Sequence, residues 1–420
     1  MDSRNIRIAS NQRFGCIQCG QCCRRFYVAL SESDIRRLRS LNWSRNDDIP
    51  ADPVVTVRGH PFLAHQASGD CIYLDAQTNR CRIHGRFGAP SKPLACRGYP
   101  LNIASCGAGG VSVTARMDCP AVQQNHGPLL TQGRREIEKF VAQLGTRGGS
   151  TTDESNDGLA PEAVTAVMGA LAGDLLKKPG LPPGRRSAAL LVAVERFAEL
   201  GPDFLNDIPT LQEVIPSFTA RTIEKAESPP KSNVGMFSRA LFSQWLGSYL
   251  RRDEEMLNQG AIARVKRSLN LAKMVVGHGS LADLGGEHPS IPLRKVRLFS
   301  PPPPASSAPD PTPAWECYWR LLESRFETLQ FYGPTYFELP FFVGLRALVM
   351  TYPLVLAAAR CHAADRHAAT LGEEDVRYAV GAIDHSFGRS RLLQIPLWRS
   401  VEIYFSGSRY PRLLASLGGM

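Results

Sequence analysis

Apolar positions follow two regimes along the chain. Before residue 129 they come in short alternating or clustered pieces, and beyond it they recur every three or four residues over long stretches. In the first regime, residues 30–41 set Ile35, Leu38 and Leu41 on one face and Arg36, Arg37 and Arg39 elsewhere. Ser31, with Asp34 three residues on, forms a capping-box start, so a short amphipathic helix is expected there. Residues 54–57, 71–74 and 111–114 read as short strands, with 81–84 returning across a turn at 75–79. Residues 88–93 form a loop rich in helix breakers. In the second regime, helices are expected at 132–144, 161–177, 185–200, 210–226, 236–258, 262–276, 315–331, 340–366, 372–389 and 397–404. The joints are a polar hinge at 145–157, a Pro/Gly stretch at 179–184 and a Pro-rich linker at 301–313. No repeat period is visible. The expected architecture is α+β: a small, irregular, cysteine-rich module at 1–128, a helical domain at 129–300, the linker, and a C-terminal helical segment at 314–420.

Composition sharpens this picture. A length of 420 residues suggests roughly two to four domains, and 43% hydrophobic against 21% charged residues excludes a globally disordered chain. The run 341–359 tests for a membrane span. Arg346 and Pro353 interrupt it, so a buried helix is expected and no membrane insertion. The N-terminus lacks the apolar core of a secretory signal, which points to a reducing, cytoplasmic setting. The net charge is +10, and residues 1–125 hold 16 Lys/Arg against 9 Asp/Glu, so most of the excess surrounds the N-terminal region. Such a field attracts nucleic acid or anionic ligands; it also lowers thiol pKa and balances metal-bound thiolates. The second role needs no partner. Aromatic residues interleaved with basic ones, which base stacking requires, are sparse, so a nucleic-acid module is the weaker reading.

The candidate chemistry is sulfur. Cys16, Cys19, Cys22 and Cys23 fall in eight positions as C-x2-C-x2-C-C, and Cys71, Cys81, Cys96, Cys106 and Cys119 follow. Only Cys317 and Cys361 lie beyond residue 119. In a reducing compartment such a concentration points to metal rather than disulfides. A C-x2-C pair lets two thiolates grip one ion from a tight turn, and Gly20 lets the backbone approach it. Eight or nine thiols suffice for two four-ligand sites, or for one cluster with structural or reactive extras. The side chains of the adjacent pair Cys22 and Cys23 diverge, which is compatible with ligation of two different metals or with one of them as a spare, reactive thiol. The spacing suits zinc and an iron–sulfur cluster alike.

The block Phe14-x-Cys16-x2-Cys19-Gly20-x-Cys22-Cys23-Arg24 resembles the opening signature of the CxxCxxCC, or YkgJ-type, cysteine cluster family of zinc- or iron-chelating proteins. The likeness continues through Cys71-Ile72-Tyr73-Leu74, Cys81-Arg82-Ile83-His84, Pro93-Leu94-Ala95-Cys96-Arg97-Gly98-Tyr99-Pro100 and Asp118-Cys119-Pro120. The resemblance implies Cys16, Cys19, Cys22, Cys23, Cys71, Cys81, Cys96 and Cys119 as metal ligands and leaves Cys106 outside the pattern. More distantly, the cluster is similar to that of flagellin lysine N-methylases. That implies a second reading, transfer of methyl from S-adenosylmethionine to a lysine of a protein substrate. The chain shows no strand–G-x-G-x-x-G–helix and no C-x3-C-x2-C. The glycine-rich 107–110 precedes a strand, which does not suit a phosphate-binding loop.

Other polar residues are read as structural. His84, three residues after Cys81, is a candidate extra ligand, better explained as a surface or packing residue. His60 and His65 flank a loop without visible partners. Arg97 is placed either on a thiolate or against Asp118. Glu373, Glu374 and Asp375 open a helix at its positive end. Asp384, His385 and Ser386 have the composition of a catalytic triad, but three consecutive helical residues diverge. Arg360, His362, Arg366 and His367 are expected on a solvated helix face.

Overall fold

The short alternating pieces of the N-terminal region form three small sheets. In this computed structural model, residues 6–43, 49, 52–57, 59–106, 110–144, 156–227, 234–252, 261–299 and 313–419 are described. The strands are β1 (Ile6–Ile8), β2 (Val54–Val57), β3 (His60–Leu63), β4 (Leu74–Asp75), β5 (Arg80–Cys81), β6 (Leu101–Cys106) and β7 (Gly110–Ala115). Sheet order is β1-β7-β6, with β2-β3 and β4-β5 as separate hairpins. β1 runs parallel to β7, Ile6 opposite Val111 and Ile8 opposite Val113, and β6 runs antiparallel to it. β7 is buried along its whole length. Val111, Val113 and Ala115 belong to the main apolar core. The alternate residues Ser112 and Thr114 bind Gln330 instead: Thr114 Oγ1 donates to Gln330 Oε1 (2.7 Å) and Gln330 Nε2 donates to Ser112 Oγ (3.0 Å). That pairing satisfies polar groups which burial alone would strand.

The expected strand at 81–84 is corrected. Leu74 pairs with Cys81 and Asp75 with Arg80, but the chain then turns into a helix, Arg82–Phe87. The turn closes because Asp75 Oδ1 accepts from the Gln77 N–H (2.9 Å) and Asn79 adopts a left-handed φ of 57°. Helix geometry then carries Ile83 into the small core beside Tyr73 and Leu74. Upstream, residues 71–73 do not form a strand; the Cys71 N–H donates to the Cys23 carbonyl (2.8 Å). β1, β3 and β6 were not expected.

Most helices fall where the 3.6-residue period places them. The 161–177 segment is an α-helix, Pro161–Gly169, that continues as a π-helix, Ala170–Leu176. Pro183–Leu205 breaks at Gly201 (φ 74°, ψ 169°), just before Pro202. The helix starting at Met236 ends at Leu250, and 253–258 lie outside the described residues. The hinge residues 145–155, the loop 107–109 and linker residues 301–312 also lie outside them. The apolar run divides into Phe341–Val349 and Thr351–Asp365. The stretch is long and apolar enough to cross a membrane, yet 89% of its most apolar window is buried against the rest of the chain. Gly344 allows the first of these helices to pack: a Cβ there would lie 1.9 Å from the Phe331 carbonyl oxygen. The face expected to be solvated is tied down instead. Arg360 donates to the carbonyls of Leu298 (2.7 Å) and Leu417 (2.6 Å), and His362 and Arg366 both bind Asp375. Long-range acceptors explain that difference, since a charged helix face finds them only once the chain has folded.

Two apolar cores result. The large one runs from Ile8 and β7 through the helices to Leu417. The small one, beneath the cysteines, comprises Leu30, Leu38, Leu63, Cys71, Tyr73, Leu74 and Ile83 among the described residues. The fold is α+β, with its strands in the N-terminal region and helices throughout the remainder.

Candidate metal centre

Most of the ligand candidates sit in or beside short elements. Gly20 takes a left-handed φ of 73° and starts the one-turn helix Gln21–Arg25, which carries Cys22 and Cys23. Arg24 holds this turn: Nη1 donates to the Cys19 carbonyl (3.0 Å), Nη2 binds Asn79 Oδ1, and the guanidinium lies 3.8 Å from Asp70. Cys81 precedes the helix Arg82–Phe87, Cys96 lies within Leu94–Gly98, and Cys119 precedes Pro120–Gln123. Asp34 links the second helix to the one that carries Cys96. Its carboxylate closes the capping box with Ser31, in the helix Glu32–Arg39, and its Oδ1 also accepts from the Leu94 N–H (2.9 Å). All eleven cysteines are free thiols.

The eight ligand candidates line two neighbouring cavities. An inner one of about 340 Å³ is bordered by Cys22, Cys23, Cys71, Cys81 and Cys96, with Phe26, Tyr73 and Tyr99 among its apolar walls. An outer one of about 570 Å³ is bordered by Cys16, Cys19, Cys22, Cys96 and Cys119, with His84 at its edge. Cys22 and Cys96 face both. Among the described residues, no three His, Cys, Asp or Glu side chains stand in metal-holding geometry. The thiols border open volumes and do not meet at a point.

The donor chemistry fits a soft or borderline metal. Cys22 and Cys23 are hydrogen-bonded to each other, and Cys23 to Cys71. The bond with Cys23, followed by burial, raises the Cys22 thiol. At Cys23 the Cys22 bond favours the thiolate, but the Cys71 bond and burial outweigh it and push the thiol up to about 12. Burial pushes Cys96 up to about 12 against the pull of Lys92. It pushes Cys119 up to about 11, although the Val122 and Ala121 N–H groups favour its thiolate. Neighbouring thiols add to these shifts at Cys22, Cys23, Cys96 and Cys119. That mutual penalty is what a bound cation relieves.

A clamp from the distant helix Glu373–Ser386 reaches the last ligand candidate. Asp118, next to Cys119, binds Arg116, His385 Nδ1 (3.0 Å) and the Tyr99 hydroxyl (3.2 Å). Burial acts to raise the Asp118 carboxyl, yet Arg116 and then His385 hold it well below the usual carboxylate range. Asp384 accepts from the Met117 N–H (2.9 Å) and from Arg325 Nη2 (2.6 Å). Ser386 Oγ donates to the Tyr249 carbonyl (2.6 Å). Asp384, His385 and Ser386 thus serve three separate partners, as helical divergence requires. No sequence signal marked the clamp, because its halves are 267 residues apart.

The remaining candidates resolve as follows. Arg97 Nη1 donates to Gln143 (3.3 Å), and neither proposed role is seen. His65 does have partners: Nδ1 bonds to the Gly69 carbonyl (2.8 Å) and the ring stacks on Tyr27. His60 is exposed in β3. Cys106 is buried at the end of β6 and borders neither cavity. Cys317 and Cys361 lie in the large core. Comparison with curated proteins and with solved structures gives no match. Residues 15–122, the segment that carries all eight ligand candidates, match the CxxCxxCC family model, described as a "Putative zinc- or iron-chelating domain".

Proposed function

We propose that the N-terminal region binds zinc or a thiolate-ligated iron centre through Cys16, Cys19, Cys22, Cys23, Cys71, Cys81, Cys96 and Cys119. One observation carries this reading: five cysteines from four separate chain segments border a single cavity whose remaining walls are largely apolar. Thiolates gathered this closely would repel one another, and a cation that takes the place of their protons removes that cost. When bound, the metal supplies compact positive charge and cross-links the segments, which a core of seven buried side chains does only weakly. The chain's own residues prepare the site. Arg24 and Asp34 position the loops, Lys92 offsets thiolate charge at Cys22 and Cys96, and Phe26, Tyr73 and Tyr99 exclude water.

The test is anaerobic purification of the full chain followed by metal and acid-labile sulfide assays. Stoichiometric metal is expected, with Cys71→Ser binding clearly less of it. Colour with iron and sulfide identifies a cluster; colourless stoichiometric zinc identifies a tetrahedral thiolate site. Chelation of either is expected to open residues 6–122 to protease. A native chain without metal, and with all of these thiols open to titration, rejects the proposal.

A further inference from the structure

We infer that the eight thiols form two adjacent four-ligand centres, one inner and one outer, with Cys22 and Cys96 on their common wall. This rests on the metal-binding reading above and goes beyond it in the number and partition of the sites. Cys23, Cys71 and Cys81 border only the inner cavity, and Cys16, Cys19 and Cys119 border only the outer one. Three thiolates fall one short of the tetrahedral set that zinc takes, or of the four cysteines that hold a four-iron cluster. The two cysteines that face both cavities supply the missing ligand to each side, so every ligand candidate is used and none is left over. Contacts within each set agree. Cys23 is hydrogen-bonded to Cys71 within the inner set, and Cys119 interacts with Cys19 within the outer one.

The two centres differ in access. Cys71 is buried in a cavity that Phe26 and Tyr73 also line, whereas in the outer set Cys119 is buried but Cys16 is exposed. The outer cavity is also walled by Lys139 and Phe140 of the helix Arg134–Leu144, outside the run of cysteines. Because the thiols border cavities, each ion gathers its ligands on binding. The outer centre is therefore the more exchangeable of the pair, and the inner one the more tightly held.

The experiment is titration of the reduced, metal-free full chain with cobalt(II). Thiolate-to-metal absorbance is followed, and thiol protection from alkylation is then mapped by mass spectrometry. Two equivalents are expected. The first should protect Cys23, Cys71 and Cys81, and the second Cys16, Cys19 and Cys119. A small chelator should then release the outer equivalent at least tenfold faster. Cys16→Ser should bind one equivalent and retain inner protection, and Cys71→Ser should do the reverse. The protection map of the unaltered chain keeps the test valid where a variant fails to fold. A single equivalent, or simultaneous protection of both sets, overturns the partition and leaves metal binding standing. Failure to bind any cobalt overturns both.

Discussion

Trp245 lies fully buried between Phe242, Tyr249 and Phe405, and Phe341 packs on Phe331 and Tyr332. In the N-terminal region thiols border two cavities, and the apolar core beneath them is small. Apolar burial stabilises by roughly 25 cal/mol per Å², so the helical region holds its shape through side chains it already has. The cysteine region keeps its largest potential source of order for a ligand that bridges its loops. The sheet β1-β7-β6 and the Asp118–His385 contact join the two regions, so a perturbation of one can be followed in the other.

Trp245→Ala should strike the helical side hardest. A loss of about 3–5 kcal/mol is expected for an aromatic side chain removed from a closed core, seen as a lowered thermal midpoint in circular dichroism. Metal content per folded chain should stay unchanged; if metal falls with the helices still folded, the comparison breaks.

Acidification probes the same side at His288. Its Nε2–H donates to the Leu250 carbonyl (2.7 Å) and its Nδ1 accepts from the Tyr378 hydroxyl (2.7 Å), an arrangement that holds only for the neutral ring. Burial, then Arg252, pulls the imidazole down to about 3. The unfolded chain therefore takes up the proton first. The neutral ring's contribution is intact above an unfolded pKa of about 6.5 and is lost progressively as pH falls toward 3. At pH 5 the loss is about 2 kcal/mol. Unfolding free energies from urea titrations at pH 7 and pH 5 should separate by that amount, and His288→Gln should narrow the gap. An unchanged gap in the variant would assign the acid sensitivity to metal release from the thiols.

The smallest effect sharpens the cysteine side. Ser31→Ala removes half of the capping box and should cost about 1 kcal/mol. Asp34 retains its bond to Leu94, so metal stoichiometry should persist while protease protection near Cys96 declines slightly. Full loss of metal would show that the cap, and not the thiols, organises this region.

Local features were legible where the partner lies within a few residues. The Ser31–Asp34 cap, the turn before β5 and most helices follow from backbone geometry and spacing. Even locally, the reading of 81–84 failed, because a β-like run of four residues is overruled when helical geometry buries Ile83. The strands β1 and β6 escaped notice because their pairing partner is β7. For β1 that partner lies some hundred residues away, too far for any window to see.

The sequence by itself determined the density and spacing of thiols, the resemblance of 15–122 to a chelating family, and the division between short β pieces and periodic helices. Those depend on residue type and on neighbours a few positions away. Only the tertiary structure decided that Cys22 and Cys96 border two cavities, that Cys106 borders neither, and that Asp118 and Asp384 clamp the last ligand candidate to a far helix. Each of these depends on which distant segments become neighbours. Burial and hydrogen-bond satisfaction over the whole chain set that arrangement, and no local stretch encodes it.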